Sequence, residues 1–162
     1  MSADIKYTFI LSEKTDPDYQ MAQQISSWVT ENLENLTDAK GDKIFGKVNM
    51  GFNEDNLKTF GKKPVCDVYA NHVEYNNDFE DSKPEKVYTT IIFYLKGANN
   101  HASTKCNELH DYLIQEFITN KSFRLLKGIV KDTRILNSEL MNQPLNKKWG
   151  VMGALELSHI LY

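Results

Sequence analysis

The residues between Gly41 and Lys47, GDKIFGK, have the spacing of a loop that binds nucleotide phosphates. In such a loop a Ser or Thr follows the lysine and ligates magnesium, but this sequence has Val48 there. The loop should also follow a strand and begin a helix. Here the pattern predicts the reverse, a helix before the run and a strand after it. We therefore expect no nucleotide site at these residues.

Two carboxylates and a lysine, Asp67 with Asp81 and Lys83, loosely match the layout of metal-dependent nucleases. Carboxylates that share a metal must lie close together, for example on adjacent strands. Asp81 instead comes shortly before Pro84, which cannot donate a hydrogen bond within a sheet. The sequence favours a solvated hairpin tip, and a metal-dependent nuclease is the alternative from another functional class.

Cys106 and His110 are one helical turn apart and could supply half of a zinc site. The other histidines are scattered and form no second close pair: His72, His101 and His159. A cysteine on the apolar stripe of a helix is usually part of the core. We therefore expect no metal, no cofactor and no catalytic residue, and His159 to be a partly exposed strand residue. Cys66 and Cys106 are expected to be free thiols.

The composition predicts a single domain over residues 1–162. Apolar residues make up 41% of the chain and charged residues 25%, which is ordinary for a globular protein. A net charge of −3 gives no general attraction to nucleic acid or to an anionic membrane. The apolar run at residues 7–11 is too short for a membrane span. We expect no membrane partner.

Hydrophobic periodicity predicts two helices and five strands. The first helix begins at Asp16 and Pro17, and the second runs from its cap Ser103 to Asn120. The strands are expected at residues 43–52, 64–75, 86–96, 129–136 and 149–161. The order α-β-β-β-α-β-β predicts an α+β fold, an antiparallel or mixed sheet of four to five strands with the two main helices on one face.

The third predicted strand is apolar on both faces. Val87, Ile91 and Phe93 alternate with a face that includes Tyr88, Ile92 and Tyr94. The helices can cover only one face. The tyrosine-rich face is covered either by another layer of the domain or by a second subunit, since tyrosine is favoured at interfaces. This second face is a candidate subunit interface.

Two segments carry opposite charge. Residues 74–85 hold five carboxylates and one lysine, a net charge of −4, and residues 121–148 hold seven cations and two carboxylates, a net charge of +5. Opposite patches suit a head-to-tail contact, the type that closes into rings. The candidates are Lys121, Arg124, Lys127, Lys131 and Arg134 for a subunit interface, and Asp78, Glu80, Asp81 and Glu85 for an acidic hairpin facing the lumen or another ring. The alternatives are two solvated loops, or nucleic-acid binding by the basic run.

Three stretches together resemble a known family. They are VYTTIIFYLKG at residues 87–97, LHDYLI at residues 109–114 and WGVMGALEL at residues 149–157, behind an amino-terminal helix with Trp28. The chain is similar to the tail terminator and tail-completion (head–tail joining) proteins of long-tailed bacteriophages. The resemblance covers most of the chain, best from residue 64 to the end.

The resemblance implies a structural virion protein without enzymatic activity. Such a protein forms a hexameric ring on the head-proximal end of the tail tube, stops tube polymerisation and joins the tail to the head connector. It implies assembly in the bacterial cytoplasm, with the tube protein and a connector protein as partners. DNA passes through the lumen without specific binding. A head-completion protein or the tube subunit itself is the alternative within this class.

Overall fold

The computed structural model describes residues 6–12, 17–51, 63–76, 83–97, 100–145 and 148–162. The helices are α1 (Pro17–Glu34), α2 (Asn100–Thr119) and the single turn α3 (Lys121–Arg124), followed by a 3-10 turn at Leu126–Gly128. The strands are β1 (Lys47–Met50), β2 (Val65–Asn76), β3 (Lys83–Lys96), β4 (Asp132–Leu145) and β5 (Lys148–Ile160).

The strands form one five-stranded mixed sheet in the order β1-β2-β3-β5-β4. The short β1 is parallel to β2, and the other neighbours are antiparallel. This confirms the predicted α+β class. Strands β2 and β3 pair as far as Asn76 and Lys83, as the predicted hairpin requires. The hairpin tip, with Asp78, Glu80 and Asp81, lies outside the described residues.

Several predicted boundaries are wrong. Ser103 lies inside α2, which begins at Asn100, so Ser103 is not its cap. Strand β1 has only 4 residues, whereas β4 has 14 and continues to Leu145. The second half of β4 is too polar to be recognised as a strand from its residues alone. It is extended because β5 pairs with it to the end of the hairpin.

The core lies between the helices and one face of the sheet. The apolar stripes of the two long helices pack against Val87, Ile91 and Phe93 of β3, each of which is fully buried. Those stripes are Ile25, Val29 and Leu33 in α1, and Leu109, Leu113 and Phe117 in α2. The opposite face of β3 therefore points away from the helices, as its alternation predicts.

Candidate functional site

A cleft of about 690 Å³ lies between the end of α2, α3 and the start of β4. Four of the five basic residues expected at an interface line it: Lys121, Arg124, Lys131 and Arg134. Asp132 is the only carboxylate among the described residues of the lining, and Ile118 and Ile160 add apolar wall. We call this site the basic cleft. With four cations against one carboxylate, it suits an anionic partner.

Local backbone structure brings the basic residues together. The Asn120 side chain caps α3 by accepting a hydrogen bond of 3.0 Å from the Ser122 N–H, which fixes the turn carrying Lys121 and Arg124. The backbone N–H of Lys131 donates to the Ile160 carbonyl at 2.7 Å and starts the pairing of β4 with β5. Two separate segments thus face each other across the cleft.

Asp132 holds two of the cations in place. Arg124 donates from Nε to Oδ1 at 2.6 Å and from Nη2 to Oδ2 at 3.3 Å. The Arg134 Nε lies 3.6 Å from Oδ2. These contacts, the hydrogen bond from Arg124 above all, lower the pKa of Asp132 from its ordinary value. No ion pair within the described ranges engages Lys121 or Lys131, so both ammonium groups can meet a partner.

Lys127, the fifth predicted basic residue, is directed elsewhere. Its backbone is left-handed, with φ of 58°. Its Nζ lies 3.3 Å from Glu31 Oε1 and 4.6 Å from the centre of the Trp28 ring. Lys127 therefore ties the 3-10 turn to α1 and is not part of the basic cleft.

The three candidate interface residues on the second face of the sheet differ in how exposed their side chains are. Tyr88 is half-buried, its ring stacks on His72 with 4.2 Å between centroids, and its hydroxyl donates to Glu74 at 2.9 Å. Ile92 is also half-buried. Tyr94 is only 1% exposed, so its side chain offers no surface to a partner. Burial also raises the pKa of the Tyr94 hydroxyl.

Glu85 is the one member of the predicted acidic hairpin that lies within the described residues. Its side chain is exposed, and its carbonyl accepts a hydrogen bond of 3.0 Å from the Leu161 N–H. The hairpin base is thereby fixed to the end of the chain. The charge of the tip stays a prediction from the sequence.

The described residues of the nucleotide-loop and nuclease patterns take part in a turn and in the buried sheet. The Asp38 carboxylate accepts the backbone N–H groups of Lys40 and Asp42, at 2.8 and 3.0 Å, so the start of the glycine-lysine run is a closed turn. Asp67 is fully buried and accepts a hydrogen bond of 3.2 Å from the Asn49 amide. Asp81 and the side chain of Lys83 are outside the described part, so the nuclease layout stays an alternative from the sequence.

The half zinc site is part of the helix packing. Burial raises the pKa of the Cys106 thiol to about 11, and Cys66 is buried with a raised pKa as well. His110 is buried with its Nδ1 3.4 Å from the Asp111 carboxylate, and no described residue forms a hydrogen bond with its Nε2. Among the residues that the structure describes, no three potential metal ligands are grouped.

His159 is fully buried, so the expectation of partial exposure was wrong. Its Nε2 lies 2.8 Å from the Thr89 hydroxyl and its Nδ1 lies 2.8 Å from the Thr133 hydroxyl. Burial lowers the pKa of the imidazole to about 3, so the ring is neutral at pH 7. One ring nitrogen donates and the other accepts, which joins three neighbouring strands through their side chains.

A comparison with protein-family models and with curated proteins finds no match to this chain. Within the described residues, no helix has the length and apolar character needed to cross a membrane. The arrangement of charges and exposed apolar residues is therefore the physical basis for a functional assignment.

Proposed function

We propose that this protein is a ring-forming tail terminator of a phage or phage-like particle, a structural component that caps the head-proximal end of the tail tube and joins the tail to the head connector. The basic cleft is the observation that supports this proposal. Cations from α3 and from the start of β4 converge on one surface, and the chain also carries an acidic hairpin of opposite charge.

The positions of the two charged features suit a contact between neighbouring copies. At one end of the sheet, Ile160 of β5 pairs with Lys86 on one side and with Asp132 on the other. Lys86 is near the base of the acidic hairpin, and Asp132 lies in the basic cleft. The base of the hairpin is therefore beside the cleft, with strands β3 and β4 about 10 Å apart at this end of the sheet. A hairpin that reaches the cleft of the next copy makes a head-to-tail contact, and such contacts close into a ring when the rotation permits.

Termination follows from the asymmetry of such a ring. One face would match the last ring of the tube in shape and charge. The other face would carry no copy of the tube surface, so no further tube subunit could be added. The connector would bind that second face, and DNA would pass through the lumen.

The first test is the native mass of the protein over a range of concentrations, with electron micrographs of the same samples. Discrete rings of six 18.7 kDa chains are expected. Long tubes formed by the protein alone would identify the tube subunit instead. A protein that stays monomeric and does not shorten growing tail tubes would overturn the proposal.

Charge reversal tests the basic cleft itself. Lys121→Glu with Lys131→Glu should abolish ring formation and leave the fold intact, because both side chains are exposed. Lys40→Glu with Lys47→Glu changes the net charge equally on exposed residues outside the cleft and should leave rings unaffected. If the cleft variant assembled normally but lost a salt-sensitive affinity for DNA, a nucleic-acid-binding function would replace the ring contact.

A further inference from the structure

The segment at residues 6–12 exposes four large apolar side chains, and we call it the amino-terminal arm. Tyr7, Phe9, Ile10 and Leu11 are 79%, 70%, 97% and 76% exposed. The rings of Tyr7 and Phe9 lie on the same side, with 6.2 Å between their centroids, as in an extended strand. No backbone hydrogen bond joins the arm to another described part of the chain. A run of exposed apolar strand formers is typical of a surface that binds a partner.

The outer edge of β4 is also an extended segment with exposed apolar side chains, and a further strand can pair with it. Strand β4 is at the end of the sheet, and its described pairing is with β5 alone. Leu136, Leu140 and Met141 are 52%, 44% and 38% exposed along it. A long edge strand with unpaired N–H and C=O groups and exposed apolar side chains is a template for another strand. The opposite edge, β1, has only 4 residues and is too short to pair with the whole arm.

We propose that the amino-terminal arm of one copy pairs as an added strand with the outer edge of β4 in a second copy. The five residues from Tyr7 to Leu11 span about 17 Å when extended, the length of a similar stretch of β4. Backbone hydrogen bonds would provide the affinity, and the apolar side chains would be removed from water on both partners. The inference deepens the proposed function by naming a contact between copies, and it requires only that copies of the chain assemble.

The path of the chain favours a second copy over the same molecule. The arm leads into α1, which packs on β1 and β2. Strand β4 is at the other end of the sheet, beyond β3 and β5. The arm therefore leaves the half of the domain that is far from the β4 edge. An arm docked head-to-tail on the next copy would add to the contact at the basic cleft and would favour closed rings.

Disulfide trapping between two variants tests this pairing. Phe9→Cys is made in one preparation, and Leu136→Cys, Ser138→Cys or Leu140→Cys in a second one with a different tag. The native Cys66 and Cys106 are buried and do not compete. After mixing and mild oxidation with oxidised glutathione, we expect a covalent pair with one chain of each kind. Met50→Cys, 52% exposed on β1, is the matched control and should give no pair.

Two other results would overturn the inference. A link within one chain, formed when both cysteines are in the same molecule, would place the arm on its own sheet. Absence of any link at all three β4 positions would exclude the pairing. The native mass is measured separately, so rings without the cross-link would reject the arm and retain the proposed function. A cross-linked chain that forms no rings would retain the arm pairing and reject the proposed function.

A second variant needs no oxidation. Phe9→Asp with Ile10→Asp should lower the mean native mass at a given concentration, because two carboxylates would have to be buried along β4. The helix content should be unchanged, since the arm is exposed. An unchanged native mass would contradict the proposal.

Discussion

The ring of Phe93 lies against the α-carbon of Gly153, the residue directly opposite on β5. A β-carbon at position 153 would be closer than 3.0 Å to three atoms of that ring. Glycine in a strand is normally unfavourable because it leaves space and backbone freedom. Here the fully buried ring of Phe93 fills that space. The two residues act as one packing unit in the centre of the sheet.

Gly153→Ala should therefore destabilise the protein by about 1–3 kcal/mol, the usual cost of adding a methyl group to a filled core. The clash depends on the ring, so the same substitution in a Phe93→Leu background should cost much less. Urea unfolding of the four variants in this cycle measures the coupling. Equal costs in both backgrounds would show that the ring is not the obstacle.

The burial of His159 makes the stability of the protein depend on pH. Burial in the folded state lowers the pKa of this imidazole to about 3 from its ordinary value of 6.5. Between these values the unfolded chain binds a proton that the folded chain does not. The contribution of the neutral His159 to the free energy of unfolding is therefore fully present above pH 6.5. It is lost progressively as the pH falls toward 3.

We expect this single group to remove about 1.4 kcal/mol for each pH unit below 6.5. His159→Gln keeps an amide donor and acceptor but does not titrate. Its free energy of unfolding should be lower at pH 7 and should fall less steeply between pH 6 and pH 4. Chemical denaturation across that range compares the two slopes. Parallel curves would mean that His159 is protonated in the folded state or is not buried.

Local patterns in the sequence were sufficient for the order of the elements and for most of the basic cleft. Four basic residues come together because α3 and the start of β4 are close in sequence. The sequence did not distinguish Lys127 from these four residues. It lies outside the cleft because its left-handed backbone turns its side chain toward Trp28 and Glu31. Sequence spacing carries little information about such a turn, although Gly128 next to it marks a change of direction.

Contacts distant in sequence explain the other errors. The burial of His159 depends on hydroxyl groups from β3 and β4, which are 70 and 26 residues away. The alternation of side chains along a strand predicts which face of the sheet each side chain is on. It does not predict what covers that face. For the same reason the sequence could not decide whether Tyr94 meets a partner or its own domain.

The different environments of the basic residues predict different effects on stability. Lys127→Met removes the ion pair with Glu31 and the cation over Trp28, and should cost about 1 kcal/mol. Lys121→Met is the matched control, and should change stability by less than about 0.5 kcal/mol because its side chain is exposed. Urea unfolding measures both. Equal losses would mean that Lys127 contributes no more than an ordinary surface lysine.

Asp132 and Lys131 are expected to have different roles in the basic cleft. Asp132 holds Arg124 in place, whereas Lys131 contacts the partner. Asp132→Asn weakens the hydrogen bonds from Arg124, and should cost about 1 kcal/mol after allowance for the partial exposure of that arginine. Because the folded state lowers the pKa of Asp132, the wild-type advantage is present at neutral pH and is lost as the pH falls through the folded value.

The same substitution adds one unit of positive charge to the cleft. Ring formation at neutral pH should therefore persist and become more sensitive to salt. Lys131→Gln should have the opposite profile, with unchanged stability and weaker assembly. Unfolding and native mass, measured on both variants, separate the two roles. If Asp132→Asn abolished rings without loss of stability, the carboxylate would itself contact the neighbouring subunit rather than hold Arg124 in place.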